Sequence, residues 1–472
     1  MSKSLLPLHR LQYLLSLSII VGWTPAHADL ADTAGLSEIQ KNSAVAIQTV
    51  CINLPTLSTR NSKQQDLLDR CRNMRQTAGT LGFGSPGAPA FPYSLQVDAK
   101  TLGTIIQAAA PEELAARQKL AVEGASKNQS SALRGRLSAL RAGAKGLSLS
   151  GLNLNIDGKT SLAEQLLRSK QRGGAAGSDG DNGRLGTFIN GNYNTGDKQT
   201  TDREDGFDFD NLGVTGGVDY RFTDSLVAGL ALSYDTAKSA FVNSLGDVKS
   251  SNIGLSVYGS YYIQDFYLDG HFSYSRNDYD STRNIFIPNN NPGNKSPPPA
   301  SIRSAKGSSK ANQFALGIGG GYDVHLGRTT ITPYGRVDYI DLDLGAFDES
   351  GAQGLDLHVD GQKVKSLQSA VGGLVSYAIS TGFGVLVPQA GVEWNHEYKN
   401  ESKSASARFV NDPFNTTFFI PSDNPDRNYF TVSLGLSALF KNGLSAFANY
   451  ETVQGLDKIK NQGVTLGLRK EW

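Results

Sequence analysis

FTVSLGLSALFKNGLSAFANYET, residues 430–452, is two short runs joined by a tight polar joint. In the first run Phe430, Val432, Leu434, Leu436, Ala438 and Phe440 fall on one side of a period-two alternation. Thr431, Ser433, Gly435 and Ser437 fall on the other, with Leu439 an exception near the end. Successive side chains of a strand point to opposite faces, so the run reads as a strand with one apolar side. Asn442-Gly443 follows, the dipeptide that accepts the positive φ angles of a two-residue hairpin. Leu444, Ala446, Ala448 and Tyr450 then resume the apolar side.

The same unit recurs upstream. Residues 212–222 turn at 223–225 into 226–235, and 253–263 turn at Gln264-Asp265 into a run beginning at Phe266. Residues 314–324 turn at 325–328, and 370–379 turn at 381–384. Five tight turns therefore alternate with six longer polar connections, at about 194–208, 236–250, 277–310, 345–366, 396–426 and 452–461. With 184–193 as the first segment and 461–472 as the last, the count is twelve antiparallel strands.

The second face decides the class. It is mostly Gly, Ser, Thr and Ala, with scattered Asp, Arg, Glu and Tyr. A soluble sandwich, the competing all-β reading, carries a richly charged outer face over an apolar core. The pattern here suits a transmembrane β-barrel with a polar lumen and its apolar face on lipid. Aromatics such as Tyr193, Phe222, Tyr234, Phe272, Tyr322, Trp394, Phe440 and Tyr450 sit near segment ends, where amphipathic rings meet the membrane interfaces. A barrel in lipid has to close, which pairs the last segment with the first and leaves Trp472 at the periplasmic interface.

Bulk composition agrees. In 472 residues, Lys+Arg number 45 and Asp+Glu 44, so no basic excess points to nucleic acid. Gly at 52, with 18 Tyr and 20 Phe, suits short strands better than long helices. Residues 1–28 read as a secretory signal peptide: Lys3, His9 and Arg10 precede the apolar run 11–23, and Ala26-His27-Ala28 places cleavage after Ala28. An N-terminal anchor is the alternative, but the run falls short of the ~18 residues of a spanning helix.

Residues 29–158 read as a short, mainly helical head, with helical pieces at 36–50, 62–77, 111–122 and 131–144 and one strand-like alternation at 146–158. Cys51 and Cys71 are the only cysteines. In an exported chain such a pair is expected as a disulfide, here joining two helices across a turn.

The C-terminal two-thirds, about 160–472, resembles the translocator barrel of type V autotransporters. The resemblance rests on the twelve-strand pattern, a C-terminal barrel behind an exported segment, and the last strand, where Thr465, Gly467 and Trp472 match the polar-x-Gly-x-x-aromatic-x-aromatic ending. Lys470 departs from it, standing where the first aromatic is expected. The resemblance implies recognition of this ending by the barrel-assembly machinery, passage with periplasmic chaperones, an outer-membrane location from which the head can reach the outside, and a helix filling the pore. Residues 159–183 are the candidate linker, with a pore helix at 159–174. Ser161 and Glu164 read as its capping box, Leu162, Leu166 and Leu167 as its apolar stripe, and Lys159, Arg168, Lys170 and Arg172 as charge facing lumen acids such as Asp219, Asp269, Asp338 and Glu393. An ordinary solvated linker helix is the alternative.

No catalytic, metal or cofactor constellation emerges. There is no Gly-Asp-Ser-Leu, G-x-S-x-G or H-E-x-x-H motif, and the four histidines after residue 28 all lie in the barrel region. The acidic stretches 202–211 and 178–183 fit no defined calcium loop and read as solvated surface. Residues 284–310 read as a disordered surface loop, and 408–427 as a hairpin or a binding patch bearing Phe414, Phe418, Phe419 and Ile420. Asn182 is the only Asn near the proposed plug, in a context that does not suggest self-cleavage. The expected function is non-enzymatic: a translocator that exports or displays its own head. An adhesin or structural protein that keeps its head, with a cell-surface target for loops or head, and a passive pore with a periplasmic head are the alternatives.

Overall fold

The computed structural model describes residues 29–82, 91–109, 133, 153–156, 159–162 and 184–472, the last with gaps at 202, 243–244, 289–300, 400–403, 421, 425 and 441–442. Twelve antiparallel strands close into a barrel. They are β1 (Leu185–Lys198), β2 (Phe207–Arg221), β3 (Leu226–Phe241), β4 (Gly246–Ile263), β5 (Phe266–Ile287), β6 (Ser301–Tyr322), β7 (Thr329–Leu344), β8 (Gln362–Tyr377), β9 (Gly384–Glu397), β10 (Asn428–Phe440), β11 (Leu444–Gln454) and β12 (Ile459–Glu471). Each pairs with its neighbours in sequence, and β12 pairs with β1 over its full length, Leu468 opposite Ile189 and Arg469 opposite Phe188. Trp472 extends this closure: its backbone N–H donates to Leu185 O at 3.0 Å and its indole N–H to Thr187 Oγ1 at 3.3 Å.

The alternation read from the sequence sorts as expected. Ile189, Leu212, Val214, Leu230, Leu232, Ile253, Leu255, Leu434, Leu466 and Leu468 stand exposed on the outer wall. So large an apolar belt is untenable in water and natural in hydrocarbon. Asn190, Thr215, Ser233, Ser256 and Ser273 face inward and are buried. Glycine on the inner face makes room for rings. A Cβ at Gly217 would overlap the Phe188 ring, one at Gly229 the Tyr258 ring, and one at Gly467 the Phe447 ring.

The long connections are shorter than the sequence suggested. β3 and β4 are joined by residues 242–245 alone, and β5 and β6 are 22 residues each, so much of the expected surface loop 284–310 is paired strand. The reason is physical. About 9–11 residues cross a bilayer, and beyond that height the outer face meets water; the apolar alternation then stops while backbone pairing continues.

Beyond the long-connection end the strand extensions and connections support a second body. Phe347–Asp348, Leu357–Val359, Ala405–Phe409 and Phe418–Ile420, drawn from the β7–β8 and β9–β10 connections, form a four-stranded antiparallel sheet. Against it lie three helices, α1 (Glu38–Asn53), α2 (Ser62–Gly82) and α3 (Ala99–Ala109). α1 starts at a reciprocal capping box, the Ser37 hydroxyl accepting from Gln40 N–H and the Gln40 side chain from Ser37 N–H. A disulfide joins Cys51 of α1 to Cys71 of α2, with Cα atoms 5.3 Å apart. α3 was missed in the sequence reading, although Leu102, Ile105, Ile106 and Ala109 are spaced for one helix face.

Lys159–Leu162 is a strand paired with Asn153–Ile156, so the candidate pore helix does not begin at Lys159 and Leu162 lies on a hairpin. Alternating Leu154 and Ile156 extend the period-two reading of 146–158, and pairing with them outweighs the capping signal at Ser161. Leu166, Leu167 and Arg168 lie outside the described residues, as does Ala28.

Candidate functional site

The barrel axis reads as four levels. Nearest the short turns, Phe188, Val227, Ala231, Tyr258, Tyr262 and Tyr267 point inward from β1, β3, β4 and β5. Leu133 packs among them, helical and with no exposed surface. A residue of the N-terminal segment therefore sits inside the lumen, upstream of the 159–174 stretch proposed for that place. The signal was present in the sequence as one of the helical pieces, 131–144, but nothing in its composition separated it from an ordinary head helix.

On the opposite wall Arg336 binds Asp338 and Glu393, the latter at 2.6 Å, and Tyr334 donates to Glu393 at 3.0 Å. Tyr258 donates to Asp219 at 3.0 Å, and Ser260 to Asp269. All four acids singled out in the sequence thus line one lumen, and each already has a partner within the barrel wall. Above them, Asn192, Gly213, Asp235, Asn252 and Asn277 stand in register across five consecutive strands, their polar groups buried. Higher still, Phe207, Phe241, Val248, Tyr279, Ala311, Leu342 and Leu344 pack into a small apolar core across the long-connection end.

The fourth level is the seam with the helical head. Leu67, Leu68, Ile105 and Ile106 share one buried cluster with Ile285, Phe347, Leu355, Leu357, Phe409, Phe418 and Ile420 of the barrel's connections. Polar groups border it. Arg303 grips Asp66 of α2 with both guanidinium nitrogens, at 2.5 and 2.9 Å. Arg283, 2% exposed, donates to Ala108 O at the end of α3 (2.6 Å), to Leu355 O (2.9 Å) and to Glu349. Gln107 donates to Asp205 at 2.7 Å. Burial holds the Asp205 carboxyl above its ordinary range, against the Gln107 hydrogen bond and nearby Lys198. Burial likewise raises Asp356, against a hydrogen bond from Ala352 and the charge of Lys63.

The remaining sequence candidates resolve individually. Glu204 contacts Lys198 and Asp205 binds Gln107, while Asp208 and Asp210 are exposed strand residues, so the described part of 202–211 is only partly the solvated surface expected. Phe418 and Ile420 are buried under the head, while Phe414 and Phe419 stay exposed. Thr465 and Gly467 lie on β12 opposite Asn192 and Asn190 of β1. Residues 178–183, including Asn182, lie outside the described residues. Among the described residues no cluster of His, Cys, Asp and Glu suits a metal.

A family model described as "Autotransporter beta-domain" matches residues 187–451. "Outer membrane protein A" of Rickettsia conorii is 23% identical over 322 residues, which cover 66% of this chain and 15% of that protein. The chain thus spans about a seventh of the length of that relative. Among solved structures, the translocator domain of autotransporter NalP from Neisseria meningitidis aligns with 66% of this chain and 96% of its own, at 17% identity and a TM-score of 0.48. The beta domain of the Bordetella autotransporter BrkA aligns with 61% of this chain and 100% of its own, at 18% identity and a TM-score of 0.44.

Proposed function

The chain belongs to the autotransporter β-domain family, and from that premise we propose that this outer-membrane barrel carries its own N-terminal segment to the cell surface and keeps it docked there as a head. The observation that carries the reading is the seam: α2 and α3 share a buried core with the barrel's own connections, fixed by Arg303–Asp66 and by Arg283 on the carbonyl of Ala108. In outer-membrane barrels the long connections face outward and the short turns face the periplasm. A head on the long-connection end fits display better than a periplasmic role.

Chain length supports passage through the lumen. α3 ends at Ala109 by the long connections, and Leu133 is near the short turns, 24 residues on. Even at the roughly 1.5 Å rise of a helix, a chain of that length reaches about 36 Å, more than the thickness of a bilayer core. Leu133 then stands in the pore, in the place first given to 159–174. In this reading the chain acts on no separate substrate. The surrounding lipid, the barrel-assembly machinery and periplasmic chaperones are its partners in assembly. The exposed face of head and loops is what meets another surface.

Surface labelling tests the reading. Val45 of α1 is 55% exposed. A Val45→Cys variant should react with a membrane-impermeant maleimide on intact cells. Labelling only after the outer membrane is permeabilised would put the head in the periplasm and return the passive-pore alternative.

A further inference from the structure

We propose that Lys198 and Asp423 form an intramolecular isopeptide bond, with Glu204 as the proton carrier, riveting the end of β1 to the β9–β10 connection. The three side chains come from separate places in the chain. Lys198 is the last residue of β1, Glu204 lies in the β1–β2 connection, and Asp423 lies 225 positions from Lys198. The Lys198 amine is 2.8 Å from Asp423 Oδ2 and contacts Glu204 Oε2. Glu204 Oε1 accepts the Asp423 backbone N–H at 2.8 Å. The Thr201 hydroxyl reaches both Asp423 carboxylate oxygens, at 2.9 and 3.1 Å, and itself accepts the Glu204 N–H at 3.0 Å.

Two features separate this from a surface ion pair. Lys198 and Glu204 are each 4% exposed, and the cross-strand neighbours of Lys198, Phe207 and Ile459, are buried apolar residues. The Asp423 side chain, 22% exposed, forms the rim of the site, and the amine and its proton carrier are shielded from water behind it. One ammonium between two carboxylates also leaves a net negative charge in a poorly solvated place, a costly arrangement. Condensation removes one charge of each sign and leaves a single carboxyl that can be protonated.

The step balances. Glu204 takes one proton from the Lys198 ammonium, freeing its lone pair to attack Cγ of Asp423. A C–N bond forms, one C–O bond of the carboxyl breaks, and the departing oxygen leaves as water with two protons from the nitrogen, one of them relayed by Glu204. Ammonium plus carboxylate become amide plus water, with no oxidant and no activating group. Amine and carboxyl held in contact give the high effective concentration the reaction needs, and Glu204 meets the hydrogen-bond reach required of a general acid–base.

Tryptic peptide mass spectrometry of the full chain purified from outer membranes is the test. With the bond present, trypsin cannot cut after Lys198, and residues 185–203 appear joined to 409–427 at the sum of their masses less one water. In Glu204→Gln the same residues appear as separate peptides of full mass, with cleavage after Lys198 restored. Separate full-mass peptides in the wild-type protein overturn the proposal. A joined peptide that persists unchanged in Glu204→Gln overturns the role of Glu204.

Discussion

Arg283 shows how much of this molecule hangs on single buried side chains. It serves a carboxylate and a carbonyl of the β7–β8 connection and the last turn of a head helix at once. Truncating one member of a buried pair leaves its partner charged and unsolvated, at a cost of about 3–5 kcal/mol. Arg283→Ala should therefore loosen the head while sparing the barrel, read as protease cutting near α3 with unchanged heat-modifiable migration of the barrel. Glu349→Gln should do less, because its amide oxygen can still accept from the Arg283 guanidinium, although the counter-charge is lost. The disulfide acts inside the head: opening the 20-residue separation between Cys51 and Cys71 should cost the head about 3 kcal/mol, visible as a lower melting midpoint under reductant. Asp205 and Asp356 give the seam a pH dependence. A carboxyl whose pKa is higher docked than undocked takes up a proton on docking, so docking strengthens as pH falls through the interval between the raised and ordinary values. It should level off below the ordinary carboxylate range, about 4. Asp360, held low first by the Ser406 hydroxyl, works in the opposite sense and only below that range. The helical melting midpoint should rise as pH is lowered from neutral; a flat or falling midpoint would show that neither seam carboxyl is buried on docking.

At the scale of elements, the strands were legible because an amphipathic strand in lipid has an unambiguous alternation. Val464, Leu466 and Leu468 must face outward, and a slip of one residue would turn them all into the lumen. Their upper ends were not legible, since above the membrane both faces are wet. α3 was missed for a different reason. Its apolar face is spaced like a helix, but its Thr and Ile content weakens helix propensity, and only docking on the seam stabilises so short a segment. Closure is the element-scale property most open to test. Gly467 of β12 lies under the Phe447 ring and beside Asn190 of β1. Gly467→Leu should obstruct the β12–β1 pairing and reduce the yield of heat-modifiable folded barrel, whereas Thr465→Ser should not. Equal yields for both would mean that the crowding at Gly467 is easily relieved.

At the scale of the whole molecule, the described residues form a barrel and a helical head, and the two are expected to differ in stability. The barrel is a continuous hydrogen-bonded ring, and the head is three helices held by a disulfide and a seam. Heating in detergent should produce two transitions, the helical signal lost well before the β signal; one cooperative transition would mean that head and barrel stabilise each other more strongly than the seam suggests. What the sequence determined alone was the membrane wall: strand number, the face toward lipid, the short-turn and long-connection ends, and the cysteine pair. These follow from local alternation and turn chemistry, which a solvent as selective as a bilayer enforces residue by residue. Only the tertiary structure decided what fills and covers that wall. Leu133 in the lumen, α3 on Arg283, and Lys198 beside Asp423 join residues tens to hundreds of positions apart, and no periodicity in a single segment encodes which distant surface will bury it.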